Sequence, residues 1–319
     1  MIPQPSPIPL APVRLPGLLV LAMVWLALLT GCGPRRADVV VYAAQDRVYA
    51  EPLLRQFEQE TGLRVAAVYD SEAVKTVGLA NRLLAERAHP VADVFWGNEE
   101  FRTRQLAAEG VFRATNGWSA FGWRSRRVIV NTNLVALPDV PPSLLALTNE
   151  VWRGKVALAY PIFGTTATHF AALRQHWGSA VWEAWARGLV ANQAFVLDGN
   201  SVVARMVARG EAWIGLTDSD DFRVVQAEGA PVTVLPIGLE TLLIPNTVAL
   251  VAGAPHADAA GRLREFLAGE AVVGRLVEVG ALEGAGLAAT AGQTLQPDWE
   301  RLLADLDDTT QRLCAIFLR

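Results

Sequence analysis

The sequence predicts an α/β fold of two lobes, each a mostly parallel sheet flanked by helices, and three observations lead to that prediction. Short apolar runs alternate along the chain with stretches whose apolar residues recur at helical spacing, a pattern typical of layered parallel sheets. The pattern begins near residue 39 and starts again near residue 156. A chain of 319 residues, 52% of them apolar, is also long enough to bury two cores.

The first lobe is predicted from strands that alternate with helices. Residues 39–42 and 63–68 are short apolar runs, and each is followed by apolar residues at helical spacing, over 49–57 and 74–84. A third strand is predicted at 93–96. This alternation of strands and helices indicates a mostly parallel sheet.

The second lobe repeats this order from residue 156. A strand at 156–159 is followed by helical patterns at 166–176, 180–189 and 201–209. Apolar runs at 128–130 and 247–251 lie more than a hundred residues apart, and we expect them to form two strands that join the lobes as a hinge.

These patterns set the expected domain boundaries. Residues 38–127 plus 248–319 are assigned to lobe 1, and 128–247 to lobe 2. The helical patterns at 259–267, 271–279 and 299–318 are expected to close back on the first lobe.

The N-terminal segment resembles a bacterial secretory signal. Residues 1–14 end in the cation Arg14, and the apolar run 15–29 is shorter than the roughly 20 residues that a membrane helix needs. Leu29-Thr30-Gly31-Cys32 resembles the lipoprotein cleavage box, which implies that residues 1–31 are removed, that Cys32 carries lipid, and that 32–37 form a tether. An uncleaved N-terminal anchor is the alternative.

Composition excludes several other classes of function. The formal net charge of −4 argues against nucleic acid as a partner, because that partner needs clustered Lys and Arg. The two cysteines, Cys32 and Cys314, and the four scattered histidines match no zinc or disulfide pattern. Residues 284–289 loosely resemble a dinucleotide loop but follow no predicted strand, so an enzyme remains a remote alternative.

Polar residues follow the predicted strands at the point where each strand ends. Ligands of open α/β sheets bind beyond the carboxyl ends of the strands, which makes these residues the candidate ligand site. They are Asp46, Ser71, Asn98, Glu99, Thr165, Thr166, Asn200, Ser201, Asp218, Asp220 and Asp221.

The chemistry of this set leaves three interpretations open. Its carboxylates suit a hard cation, with Asp46, Glu99, Asp218 and Asp221 as the metal ligands. Its positions before helices suit an anionic group bound by free amides and hydroxyls, and a zwitterion would use both features. Helix capping without any ligand contact explains several single positions equally well.

Several short motifs occur in the order in which one known family has them. They include Val39-Val40-Val41-Tyr42, Phe57-Glu58-Gln59-Glu60-Thr61-Gly62, Ala92-Asp93-Val94-Phe95-Trp96, Asn131-Thr132-Asn133-Leu134 and Pro245-Asn246-Thr247. The chain thereby resembles the ferric-iron type of extracellular solute-binding protein over residues 38–280.

This resemblance implies a type 2 periplasmic-binding-protein fold and a role as the substrate-binding lipoprotein of an ABC importer. The cargo would be ferric iron or another hard cation, with no resident cofactor. The expected partners are the permease subunits of the importer, and the chain is expected to be a monomer. Its expected location is the periplasmic face of the inner membrane or the outer cell surface, through the lipid anchor at Cys32.

The positions that hold ferric iron in that family differ in this chain. The tandem tyrosine region reads Gly-Leu-Thr-Asp-Ser-Asp-Asp over 215–221, Gln45 is followed by Asp46 instead of histidine, and Trp96 is followed by Gly-Asn-Glu. The alternative cargo is therefore a small organic anion or zwitterion, such as a phosphonate, a sulfonate, a sugar phosphate or an amino-acid-like molecule.

Overall fold

The computed structural model describes residues 37–69, 75–235, 237–286 and 293–318. The predicted signal peptide, Cys32 and Ser71 lie outside the described residues, so the expectations about them stay predictions. No helix in the described ranges has the length and apolar composition needed to cross a bilayer.

Within the described ranges, nine strands form one curled sheet in the order β2-β1-β3-β9-β4-β7-β5-β6, with β8 also paired to β4. The strands are β1 (Val39–Ala43), β2 (Val65–Tyr69), β3 (Val94–Gly97), β4 (Trp118–Asn131), β5 (Val156–Ala159), β6 (Phe195–Leu197), β7 (Ile214–Asp218), β8 (Val232–Leu235) and β9 (Leu243–Leu250).

Each end of the sheet is parallel, as the sequence predicts. β1 pairs in parallel with β2 and β3, while β5 pairs in parallel with β6 and β7. β1 is an unbroken apolar run because both of its faces are covered: Val41 lies in one buried cluster and Tyr42 in another. The predicted fold class is confirmed.

The two long antiparallel strands lie in the middle of the sheet. β4 pairs with β9 along residues 118–125 and with β7 and β8 along 126–131. The register shifts between Phe121 and Trp123, where Gly122 has φ +54°. Both strands are longer than the runs predicted at 128–130 and 247–251. We call 118–125 with β1, β2, β3 and β9 the first sheet segment, and 126–131 with β5 to β8 the second.

The strands alternate with α-helices that cover both faces of the sheet. Eleven of them lie in the described ranges: α1 (Arg47–Thr61), α2 (Lys75–Ala85), α3 (Glu100–Ala108), α4 (Gly164–Trp177), α5 (Ser179–Ala191), α6 (Asn200–Ala208), α7 (Ser219–Ala227), α8 (Ala257–Ala268), α9 (Glu270–Glu278), α10 (Trp299–Ala304) and α11 (Leu306–Phe317).

The C-terminal helix packs differently from the expectation that 299–318 closes back on the first lobe. Leu313 and Ile316 of α11 belong to the buried cluster of the second sheet segment, together with Trp182 and Trp185 of α5. The spacing of Leu313 and Ile316 places both on one face of α11, and α5 supplies the apolar surface that covers it. The lobe boundaries as a whole stay a prediction.

Candidate functional site

The candidate site lies where loops from both sheet segments meet, beyond the carboxyl ends of parallel strands. β1 and β3 of the first segment lead into α1 and α3, while β5, β6 and β7 of the second lead into α4, α6 and α7. This arrangement brings most of the predicted polar residues together. Two side chains that the sequence did not single out, Arg124 and Arg126 on β4, lie at its centre.

Asp218 is bound by its neighbours on both carboxylate oxygens. Arg126 Nη1 donates to Asp218 Oδ1 at 2.7 Å, and Thr165 Oγ1 donates to Oδ2 at 2.7 Å. Asn200 Nδ2 lies 3.3 Å from the same Oδ2. Burial would raise the pKa of Asp218, but the charges of Arg126 and Arg124 outweigh it, so the pKa lies below its usual value. Asp218 is therefore an ionised, internally neutralised carboxylate.

Arg124 connects the two sheet segments through its guanidinium. Nη1 donates to the carbonyl of Asn98 at 2.8 Å and to Asn246 Oδ1 at 3.1 Å. On the other side, Nη2 lies 3.5 Å from Asp218 and Nε 3.4 Å from Asp220. Burial lowers the pKa of Arg124, yet the carboxylates of Asp220 and Asp218 more than compensate and keep it raised. Two buried arginines thus face an acidic loop that sequence reasoning took for a cation site.

Three helix N-termini converge on Arg126. Its Nη1 contacts Thr165 of α4 at 3.5 Å, Asn200 of α6 at 2.8 Å and Asp218, the residue before α7. Among the described residues, the N-cap side chains of these three helices form no hydrogen bond with the amides of the first turn. Free amides and the helix dipoles make this a positive environment around Asp218.

One nitrogen of Arg126 has no hydrogen-bond acceptor among the described residues. Its Nη2 is fully buried and unpaired. The guanidinium also approaches the ring of His169, whose pKa is lowered to about 3 by burial and by the charge of Arg126. A buried N–H group without a partner is costly, so an acceptor from outside the protein would stabilise it.

Glu99 caps α3. Its carboxylate accepts from the amides of Phe101 and Arg102 at 2.7 and 3.0 Å, and from Thr168 Oγ1 on α4 at 3.1 Å. Burial raises the pKa of Glu99 above its usual value, and the charge of Arg102 offsets this only in part. The metal-ligand role expected for Glu99 stays a prediction. In this structure its carboxylate oxygens accept hydrogen bonds from the first turn of α3 and from α4.

Four of the predicted residues line a cavity of about 290 Å³ between α1 and the helices α6 and α7. These are Asp46, Ser201, Asp220 and Asp221, and the cavity is completed by Arg47, Val48, Tyr49, Arg205, Val224 and Val225. Burial, followed by the charges of Asp220, Asp46 and Asp221, raises the pKa of Tyr49 to about 12. The phenol is therefore a neutral group at physiological pH.

The remaining predicted residues have simpler placements. Thr166 Oγ1 donates to Asn200 Oδ1 at 3.2 Å, which links α4 to α6. Asn98 takes part through its carbonyl, which Arg124 binds. Asp218, Asp220 and Asp221 each offer a carboxylate oxygen, and the three oxygens lie within 4.8 Å of one another.

Sequence reasoning missed Arg124 and Arg126, although a signal for them exists. They stand two residues apart, so a strand over 118–131 would have placed both on one face. Because the predicted strand covered only 128–130, the two arginines fell outside it.

A curled α/β sheet with polar loops meeting beside two central antiparallel strands is the architecture of periplasmic binding proteins. Iron-bound HitA from Pseudomonas aeruginosa superposes with a TM-score of 0.75 at 18% identity, covering 88% of this chain and 99% of HitA. AfuA from Actinobacillus pleuropneumoniae, with fructose-6-phosphate bound, gives 0.70 at 21%, covering 86% and 98%. At these identities the likeness shows the fold.

The sequence profile of bacterial extracellular solute-binding proteins matches residues 39–280, and the chain belongs to this family. The major ferric iron-binding protein of Neisseria meningitidis is 25% identical over 203 residues, which are 58% of this chain and 60% of that relative. The chain thus spans about 60% of the length of the curated relatives it matches. The family confirms the predictions of a solute-binding protein and of a non-enzyme.

Proposed function

We propose that this chain is the substrate-binding lipoprotein of an ABC importer and that its cargo is a small organic molecule carrying an anionic group. It would be held by lipid on Cys32 at the periplasmic face of the inner membrane or the outer cell surface, and would deliver cargo to permease subunits. Family membership supports the binding role, and the contacts around Asp218 and Arg126 support the class of cargo.

The observation that carries the proposal is the buried guanidinium of Arg126. Asp218 neutralises Arg126 on one side, while Nη2 has no acceptor among the described residues. A phosphate, sulfonate or carboxylate oxygen is the acceptor that a guanidinium binds best, often with two parallel hydrogen bonds. The uncapped amides of α4, α6 and α7 would add further donors around the same group.

Closure of the two predicted lobes around the cargo would complete the site. Arg124 already bonds to the first sheet segment at Asn98 and Asn246 and approaches Asp218 and Asp220 on the loop after β7. A ligand that binds this closed arrangement more tightly than an open one shifts the population toward closure. The permease would then recognise the closed form.

Ferric iron or another hard cation is the second candidate. It is favoured by the three carboxylates within 4.8 Å and by the iron-binding relatives. A bare trivalent ion would, however, lie beside two buried guanidinium groups, and their repulsion is strong at low dielectric. Asp218 would also have to bind the metal with oxygens that already accept from Arg126 and Thr165.

Thermal unfolding of the purified full chain in detergent tests the proposal. Ethyl phosphate, ethanesulfonate and propionate are compared with Fe³⁺, with chelator alone and with buffer. At a concentration 100 times its Kd, a bound anion stabilises the folded state by about 2.7 kcal/mol. We expect at least one anion to raise the Tm and chelation to leave it unchanged.

A charge-preserving substitution tests the assigned site. Arg126→Lys keeps a cation opposite Asp218 but removes the planar fork, so the stabilisation by the anion should be lost. Arg153→Lys, in an exposed ion pair with Glu150, is the matched control and should behave like the wild type. If the Tm rises with Fe³⁺, falls on chelation and does not change with any anion, this proposal is wrong and the cargo is a cation.

A further inference from the structure

The cavity between α1 and the helices α6 and α7 contains hydrogen-bonding groups that the protein itself does not use. Tyr49, Ser201 and Arg205 line it, and their side chains form no hydrogen bond with any residue that the structure describes. Tyr49 comes from α1, whereas Ser201 and Arg205 come from α6. The available donors therefore come from two different helices, one following a strand of the first sheet segment and one following a strand of the second.

The same cavity also offers acceptors. The carboxylates of Asp46, Asp220 and Asp221 line it beside these donors. Arg205 contributes a positive charge at its wall, and Arg124 lies 3.4 Å from Asp220, whereas Arg47, which also lines the cavity, pairs with Glu51. The cavity thus presents carboxylates and a guanidinium together, and Arg124 offsets part of the negative charge at Asp220. Hydroxyl groups, which both donate and accept, match this mixture.

The cavity adjoins the anion-binding residues along the chain. Asn200, which bonds to Arg126, is followed directly by Ser201, and Asp218 is followed two residues later by Asp220. A ligand whose anionic group reaches Arg126 would therefore extend along the same two loops into the cavity. The volume of about 290 Å³ lies at the lower end of the range of ligand pockets, which suits a short chain or a single ring.

We propose that this cavity is a second subsite for the same ligand, that it takes a hydroxyl-bearing body, and that Tyr49 and Ser201 determine specificity for it. The cargo is then a hydroxylated organic anion, of the chemical class of a polyol or sugar phosphate. This inference rests on the proposed function for the anionic group and adds the identity of the rest of the molecule.

Three phosphate monoesters provide the test, and two of them, glycerol 1-phosphate and propyl phosphate, have carbon chains of equal length. Glycerol 1-phosphate carries two hydroxyls that propyl phosphate lacks, and phosphoethanolamine carries an ammonium group in place of hydroxyls. Their Kd values are measured by calorimetry on the full chain in detergent. We expect glycerol 1-phosphate to bind at least 10-fold more tightly than propyl phosphate, and phosphoethanolamine to gain no such advantage.

Conservative variants assign this preference to the cavity. Tyr49→Phe and Ser201→Ala should each weaken glycerol 1-phosphate by about 3- to 10-fold, the size of one hydrogen bond, and leave propyl phosphate unchanged. Arg209→Gln, at the end of the same α6 and paired with Glu211 on the surface, is the control and should change neither. A loss confined to the hydroxylated ligand would support the assigned subsite.

The outcomes separate this inference from the proposed function. Equal Kd values for glycerol 1-phosphate and propyl phosphate would overturn the hydroxyl subsite while the anion site stands. Equal losses of affinity for these two ligands in Tyr49→Phe would do the same. Tighter binding of phosphoethanolamine would overturn it in favour of an ammonium subsite. If none of the three binds to the wild type, the proposed function fails and this inference fails with it.

Discussion

Replacing Asp218 by asparagine removes the negative charge that two buried arginines share. The Asp218 side chain is 4% exposed and lies 2.7 Å from Arg126 and 3.5 Å from Arg124. Asparagine has nearly the same shape, so packing is retained while Arg126 loses its carboxylate partner and Arg124 keeps only Asp220. Breaking a buried ion pair by removing one partner costs about 3–5 kcal/mol, and we expect Asp218→Asn to lose that much stability.

Urea unfolding at pH 7, followed by tryptophan fluorescence, measures this loss. Asp308→Asn is the matched control, because Asp308 also pairs with two arginines, Arg174 and Arg312, but its side chain is 50% exposed. Exposed ion pairs contribute little to stability because solvent screens them, so the control should lose much less than Asp218→Asn. A loss below 1 kcal/mol in Asp218→Asn would refute the view that Asp218 neutralises the buried arginines.

The pH dependence of the stability difference between the wild type and Asp218→Asn provides a second check. The pKa of Asp218 is lowered in the folded chain, so its contribution is fully present above the ordinary value of 3.8. That contribution is lost as the pH falls through the lowered pKa. The stability difference between the wild type and Asp218→Asn should therefore shrink in acid, and a difference that grows there would contradict the assigned charge state.

Three further substitutions can be measured by the same unfolding assay. Burial raises the pKa of Glu99, so the wild type should lose stability relative to Glu99→Gln as the pH rises above 4.5; a flat difference between pH 4 and 8 would count against this. A methyl group at Gly97 would overlap the hydroxyls of Thr103 and Thr247, which are 2.7 Å apart, so Gly97→Ala should lose about 1–3 kcal/mol. Gly261→Ala on α8 meets no atom within 4 Å and should gain about 0.5–1 kcal/mol; equal effects of the two alanines would show that the crowding at Gly97 is unimportant.

The strands at each end of the sheet were predictable because their signal is local. β1, β3 and β5 are short apolar runs buried on both faces, and the residues that follow them have a helical period. β6, β7 and β8 were not predicted as strands from the apolar pattern alone. β6 has only three residues, and short runs of this kind give too few periods to be distinguished from loops.

The candidate site was predictable in position but not in electrostatics. The rule that ligands bind beyond the carboxyl ends of strands collected Thr165, Asn200 and Asp218, which the structure brings into contact with one another. The same rule did not provide partners for the acids of the 218–221 loop, because it considers only residues in loops. Arg124 and Arg126 lie inside a strand, and the rule does not examine strands.

By itself, the sequence determined the alternation of strands and helices, the family and the location of the polar loops, since each follows from residues close together in the chain. Only the tertiary structure decided which charges meet. Arg126 and Asp218 are 92 residues apart and become partners because β4 and β7 pair antiparallel with Arg126 opposite Asp218. That register pairs the acid of the 218–221 loop with a buried arginine, and the proposal of an organic anion as the cargo rests on this pairing.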